Sequence, residues 1–233
     1  MIPISDDNPT RIAPVMTWAI IGLCVIVYLW ERSLGRDMDV AVAILGFTPF
    51  SLFHHRVAVH GFVSPPAVET IFTSMFMHGG LLHLAGNMLY LWIFGNNVED
   101  AMGHSRFVIF YLASGVAAAM TLAYIDPTSR IPLVGASGAI SGVLAAYVLI
   151  FPRARVTVII PLGILLYPVK ISAFYVVGFW FLLQLLNVFT VVPGAMGGTA
   201  WGAHIGGFIA GLALTPLLSR FPLFGRQPRG PWA

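Results

Sequence analysis

The chain alternates between short clusters of charge and long stretches that carry none. Asp, Glu, Lys and Arg are absent from 12–30, 70–98, 107–125, 131–152 and 171–219. A membrane-spanning helix needs about 20 mostly apolar residues, so each of the first four stretches holds one span. The last is too long for one. The turn-forming run Val192-Pro193-Gly194-Ala195-Met196-Gly197-Gly198-Thr199 divides it into two. The pattern thus predicts six helices, over 13–30, 78–94, 107–125, 137–151, 171–191 and 200–218. Gly95-Asn96-Asn97 is expected to close the second, Asp126-Pro127 the third and Pro152 the fourth. The expected fold class is all-α, a polytopic membrane protein with a six-transmembrane-helix bundle over 13–219. A short cytoplasmic segment, 1–12, precedes the bundle, and a Pro- and Arg-containing cytoplasmic tail, 220–233, follows it.

Two connections carry further expectations. The long outer loop after the first helix runs to about Pro66. Its His54, His55 and His60, beside Phe50, Phe53 and Phe62, suit parts of it to the membrane interface. The segment 156–167 is apolar but short, and Pro161 and Pro168 interrupt it. If it spanned, every later helix would invert. It reads instead as an interfacial or re-entrant stretch.

Composition agrees with lipid as the solvent. The chain is 58% hydrophobic and 9% charged, where a soluble domain carries roughly 25% charged residues. The formal net charge is +3, but the basic residues flank spans and form no stripe, which excludes a nucleic-acid partner. They follow the rule that keeps Lys and Arg on the cytoplasmic side. With the N-terminus inside, Arg11, Arg106, Arg153, Arg155, Lys170, Arg220, Arg226 and Arg229 are cytoplasmic. Arg32, Arg36, Arg56 and Arg130 are on the opposite side. Both termini are then cytoplasmic, and a short multi-pass chain of this kind suits a bacterial inner membrane. The single cysteine, Cys24, is apolar filler and allows no intramolecular disulfide. Residues 1–10 are acidic and lack a basic leader pattern, so the first span is expected to be retained.

Candidate chemistry gathers at one end of the bundle. Helices two, four and six all enter from the outer side, and their first turns hold His78 and His83, then Ser137, then His204. A serine attacks a carbonyl only when a nearby base accepts its proton, and His204 is the candidate base on a partner helix. The amides at a helix start are free to face an oxyanion, and Ser137 lies at such a start. His83 and Asn87, four apart, share a helix face and can supply side-chain donors. Asn87 can equally serve as polar glue between helices. The predicted spans contain no acid, and Asp126 is the nearest in sequence, so a Ser-His dyad is expected rather than a triad. Ser137, Ser141 and Ala145 fall on one face of helix four, where Gly138 and Gly142 form a GxxxG. His204, Gly207 and Gly211 fall at i, i+3 and i+7 of helix six. Small faces let membrane helices approach closely and would bring Ser137 to His204.

These residues together resemble the rhomboid family of intramembrane serine proteases, over roughly 69–218. The matching pieces are Thr73-Ser74-Met75-Phe76-Met77-His78-Gly79-Gly80 with His83 and Asn87, then Phe94-Gly95 with Val98-Glu99 and Gly103. Gly135-Ala136-Ser137-Gly138 follows, and then Ala203-His204 with Gly207 and Gly211. The resemblance implies a rhomboid-like six-helix fold and cleavage of other proteins' transmembrane segments near the outer leaflet. It implies Ser137 as nucleophile and His204 as base. Asn87, His83 and the Ser137 amide would form the oxyanion hole, with His78 supporting helix two. Two departures stand out. Ser141 occupies the position of the family's aromatic residue four after the serine, so the group that orients His204 is left open. The Trp-Arg pair found in the first outer loop of some members is absent.

Other readings give less to these residues. Ser137 alone would be an ordinary helix N-cap, and His204 a polar contact between helices. A zinc site at His78 and His83 lacks the His-Glu-x-x-His pattern and any acid in the spans, so neither a metal nor a cofactor is expected. His104 is expected in a solvated loop, and Gly207 and Gly211 pack on any reading. A catalytically silent rhomboid-like client-binding protein is the first alternative function, and a small transporter with a His-lined path the second. The expected partners are transmembrane protein substrates and the lipid bilayer; the pattern leaves the oligomeric state open. Admission of a substrate is expected to move helix five and the glycine-rich loop 193–199.

Overall fold

The computed structural model describes residues 2–54, 58–59, 62–162, 165–190 and 200–224. The elements run β1 (Ile2–Asp6), α1 (Val15–Ser33), α2 (Met38–Leu45), α3 (Pro49–Phe53), β2 (Ala58–Val59), β3 (Phe62–Val63), α4 (Ala67–Ser74), α5 (Leu81–Tyr90) and α6 (Asn96–Met102). They continue with α7 (His104–Ile125), α8 (Ser137–Ile150), β4 (Arg155–Leu162), β5 (Leu165–Ser172), α9 (Ala173–Thr190) and α10 (Trp201–Leu218). Among the described residues, α1, α7, α9 and α10 are long and apolar enough to cross a membrane, and α8 is a shorter apolar helix. The protein is mostly helical and built for a membrane.

The architecture centres on α10, which packs against α7 and α8 along nearly its whole length. Glycine makes this possible. A Cβ at Gly207 would collide with the Gly138 carbonyl of α8, and one at Gly206 with Thr121 of α7. A Cβ at Gly211 would stand 2.5 Å from the Gly142 carbonyl. The small faces expected on helices four and six are therefore in direct backbone contact. By contrast α1 and α9 turn apolar side chains outward, with Ile26 65% and Phe189 85% exposed.

Several expectations need correction. The second helix is not one rod over 78–94. α4 ends at Ser74, a turn carries His78, and α5 then leads through a π-helical turn over Leu91–Gly95 into α6. Gly95-Asn96-Asn97 does not stop the chain, because Asn97 spends its side chain on a tertiary contact, donating from Nδ2 to the Asn8 carbonyl at 2.8 Å. The stop comes at Gly103, with φ +80°. The outer loop contains α2, α3 and the short β2–β3 hairpin; His54 stacks on Phe50 there, while His55, Arg56 and His60 lie outside the described residues. The first helix extends through Glu31, which is fully buried, so one acid does lie inside a span. The loop 193–199 and the tail beyond 224 also lie outside the described residues.

The all-α expectation fails beyond the C-terminal end of α8. The segment expected to be interfacial or re-entrant carries the antiparallel strands β4 and β5, and β1 joins them as a third antiparallel strand in the order β1-β4-β5. β1 reaches only as far as Ile159, so Pro161 of β4 lies beyond the central part of the sheet. Pro168 sits on the edge strand β5, where a missing N–H is tolerated. Residues 2–12 are thus packed into the membrane domain. The Arg11 amide also donates to Asp100 Oδ2 at 3.1 Å.

Two acids, buried Glu99 and half-buried Asp6, organise this end. Glu99 of α6 accepts from the Met16 and Thr17 amides at 2.9 and 2.7 Å and from the Thr17 hydroxyl at 2.7 Å. It thereby caps the start of α1 from another element, with favourable charge for a helix N-terminus. His104 is no loop residue. It opens α7 and its Nδ1 meets Glu99 Oε1 at 2.5 Å. Asp6 of β1 accepts from the Tyr147 hydroxyl of α8 at 2.5 Å. Burial lifts the Asp6 carboxyl from 3.8 to about 6, while the Tyr147 hydrogen bond pulls the other way.

Two predictions follow from this packing. Gly207→Ala should lower stability by at least ~2 kcal/mol, measured as thermal unfolding in detergent, because neither backbone can yield. Gly178→Ala, whose Cβ would meet nothing within 4 Å, should change it by under about 0.5 kcal/mol. Because the folded Asp6 holds its proton more tightly than the unfolded chain, its stabilisation is full below 3.8 and is lost as pH rises through about 6. Asp6→Asn cannot titrate, so its melting point should gain on the wild type between about pH 4 and 7, by on the order of 2 kcal/mol.

Candidate active site

The connection 126–136 before α8 is tied to the protein on both sides. Phe47 and Leu133 exchange backbone hydrogen bonds at 3.1 and 2.7 Å, and the Gly135 amide donates to the Ser74 carbonyl at 2.8 Å. Buried Phe47 anchors the first contact. Irregular backbone at this place is satisfied by protein rather than left to lipid. Gly135 then takes φ +123°, a conformation that favours glycine, and α8 begins at Ser137.

Ser137 and His204, predicted to meet, are in contact. His204 Nε2 lies 2.8 Å from Ser137 Oγ, joining the first turns of α8 and α10. His204 is buried and Ser137 half-buried. Ser141, where an aromatic residue was missing, turns back and donates from Oγ to the Ser137 carbonyl at 2.7 Å. Aromatic surface comes from elsewhere. The rings of Trp180 and Trp201 lie 5.9 and 6.0 Å from the imidazole, at 34° and 88° to it.

Gln184 of α9, which sequence reasoning missed, contacts the other imidazole nitrogen. Its Oε1 lies 2.8 Å from His204 Nδ1, and its Nε2 donates to the Trp180 carbonyl at 2.9 Å. A lone amide in an apolar span is a signal in principle, because lipid penalises it unless it has a partner. Asn187 blunts that signal. It lies three residues on and satisfies itself within the helix, donating to the Leu183 carbonyl at 2.7 Å.

His83 and Asn87 share one face of α5 and approach the serine loop. A Cβ on Gly135 would stand 2.7 Å from His83 Cε1 and Nε2 and 3.5 Å from Asn87 Nδ2. Asn87 is buried and its Nδ2 has no hydrogen-bond partner among the described residues, an uncommon condition for a buried amide. The Ser137 amide belongs to the first helical turn, whose N–H groups have no intrahelical acceptor. His78 is not on α5 but in the turn before it, fully buried. Its backbone amide donates to the Glu31 carboxylate at 3.2 and 3.3 Å, its Nδ1 donates to the Phe76 carbonyl at 3.2 Å, and its ring packs edge-on against His83 at 5.2 Å. His78 thus props His83 from behind.

The Rhomboid domain family matches residues 65–221, which covers all of these contacts except those made by Glu31 and Phe47. The chain belongs to the rhomboid family. Among curated rhomboid relatives, the rat presenilin-associated rhomboid-like protein, mitochondrial, is 37% identical over 143 residues, 56% of this chain and 38% of that protein. Yeast rhomboid protein 1, mitochondrial, is 35% identical over 91 residues, 37% of this chain and 26% of that protein. Rhomboid-like protein 11, chloroplastic, of Arabidopsis thaliana is 27% identical over 192 residues, 77% of this chain and 59% of that protein. The chain therefore spans well under half the length of the rat and yeast relatives it matches.

Gly135 holds this rhomboid site open. Gly135→Ala should cost about 1–3 kcal/mol through backbone strain and the clash with His83. Gly79→Ala, whose Cβ would meet nothing within 4 Å, should leave the melting temperature in detergent nearly unchanged.

Proposed function

We propose that this rhomboid is an intramembrane serine endopeptidase that cleaves transmembrane segments of other membrane proteins with a Ser137–His204 dyad. The observation that carries the reading is the 2.8 Å contact between Ser137 Oγ and His204 Nε2. Ser137 Oγ attacks the scissile carbonyl carbon while its proton passes to His204 Nε2. The tetrahedral oxyanion accepts hydrogen bonds from the Ser137 amide, Asn87 Nδ2 and His83. Collapse of the intermediate breaks the C–N bond, and the leaving amine takes the proton from Nε2. Water, deprotonated by the same imidazole, then releases the acyl group and restores the serine. The unpartnered Asn87 amide supports this assignment, since a donor kept free is what a developing oxyanion requires.

The proposal includes six membrane spans, namely α1, the α5–α6 rod, α7, α8, α9 and α10, in a domain over 13–219. With 14 residues, α8 is about 21 Å long, shorter than the roughly 30 Å hydrocarbon core. That supports a reading in which Ser137 lies below the outer surface, in a wet pocket reached from outside. Both termini and the sheet would face the Arg-rich side. The relatives named above are mitochondrial or chloroplastic by name, which lends no support to a bacterial inner membrane, so the proposal keeps the sidedness alone.

A fluorophosphonate probe, which phosphonylates activated serines as Oγ attacks phosphorus and fluoride leaves, tests this. It should label the wild type and leave Ser137→Ala and His204→Ala unlabelled. Asn87→Ala should slow labelling, and cleavage of reconstituted single-span proteins, by about 10²-fold. Absence of labelling in the wild type, or its survival in Ser137→Ala, would favour a client-binding rhomboid that does not cut.

A further inference from the structure

We propose that Gln184 is a positioning residue that sets the tautomer of His204; the proposal rests on the protease reading only for its effect on rate. The argument is one of donors and acceptors. The Trp180 carbonyl can only accept, so the Gln184 nitrogen must face it, as the 2.9 Å contact has it. A flipped amide would set two oxygens against each other. Gln184 Oε1 is therefore the atom that faces His204 Nδ1 at 2.8 Å, and since it too can only accept, Nδ1 carries the proton. In a neutral imidazole Nε2 is then bare. Bare Nε2 is what Ser137 Oγ faces at 2.8 Å, so the serine hydroxyl donates and the ring accepts.

The opposite tautomer would put an N–H against the serine and leave no base. In a serine protease triad the same decision is made by a carboxylate, and loss of the correct tautomer is costly. Here the spans hold no acid near His204, and an amide does the work without placing a charge in a low-dielectric site. Gln184 is 4% exposed, so water does not compete for its oxygen. Trp180 contributes twice, through the carbonyl that fixes the amide and through the ring beside the imidazole. The base is thus assembled from two helices: α10 supplies the ring and α9 supplies the direction of its proton.

The test uses the full chain in liposomes, with Gln184→Leu and Gln184→Glu. Leu keeps the bulk and is well suited to lipid, so the fold is preserved, while the acceptor is removed. Glu, as the neutral acid, keeps an oxygen for Nδ1–H and donates its O–H to the Trp180 carbonyl that Gln184 Nε2 faces in the wild type. Fluorophosphonate labelling of Gln184→Leu should be about 10²-fold slower than wild type, as for loss of a general base, and Gln184→Glu should recover most of the rate. Labelling of Gln184→Leu at the wild-type rate would overturn the proposal. A second readout is independent of activity. In protein labelled with 15N-histidine, the signals that vanish in His204→Ala report this ring. They should show Nδ1 protonated and Nε2 bare in the wild type, with that preference lost in Gln184→Leu. An unchanged tautomer in Gln184→Leu would also overturn the proposal. If the wild type takes no label at all, the hydrolytic reading fails, and the nitrogen spectra still decide what Gln184 does.

Discussion

The approach of α8 to α10 is the constraint on which the rest of the molecule depends. Helices in lipid gain little from burying apolar surface against one another, so contact must come from backbones close enough for dispersion and shape to matter. Gly207 and Gly211 of α10 lie directly on the backbone of Gly138 and Gly142 of α8, with no room for a Cβ between them. Once the seam closes, the first turns of the two helices have no freedom to separate, and the serine and imidazole they carry are held at hydrogen-bond distance. Packing and chemistry are one feature here. The small residues that make the helices associate also fix the only geometry in which the polar pair is satisfied.

Around this seam the chain uses polar groups sparingly and gives several of them a partner on another element. Glu99 serves the start of α1, Glu31 serves the turn before α5, Asp6 meets α8, and Gln184 meets α10. Each is a long-range contact that would be costly to leave unmade in a water-poor interior. Asn87 Nδ2 has no such partner among the described residues, as is also true of His78 Nε2 and the Tyr111 and Ser114 hydroxyls. What sets Asn87 apart is its place beside Gly135, on the face of α5 that approaches the serine loop.

Much of this was legible in the sequence, and the reason is periodicity. Uncharged stretches of span length revealed the helices, and small residues three and four apart revealed which faces meet, so the contact between Ser137 and His204 could be read before any coordinates. What escaped were features without a local pattern. The α4–α5 break at His78 looks like a continuous apolar run. Gln184 and Asn187 look alike as lone amides, yet one reaches across to a neighbour and the other folds back on its own helix. Arg155-Val156-Thr157-Val158 and Val169-Lys170-Ile171-Ser172 do alternate, but Pro161 and Pro168 interrupt the apolar run between them, and their third strand is Ile2–Asp6, far away in the sequence.

That third strand governs the order of assembly. Asp6 pairs with Val156, so nearly two thirds of the polypeptide separates the two halves of the sheet. On a chain synthesised from its N-terminus, residues 2–6 emerge long before β4 and stay without that partner until the strands after α8 have been made, whereas the contacts among α7, α8 and α10 are closer in sequence. Long loop closure of this kind is slow. The sheet is therefore a late event, and anything bulky that holds residues 2–6 away would leave the helices packed and the β4–β5 edge uncovered.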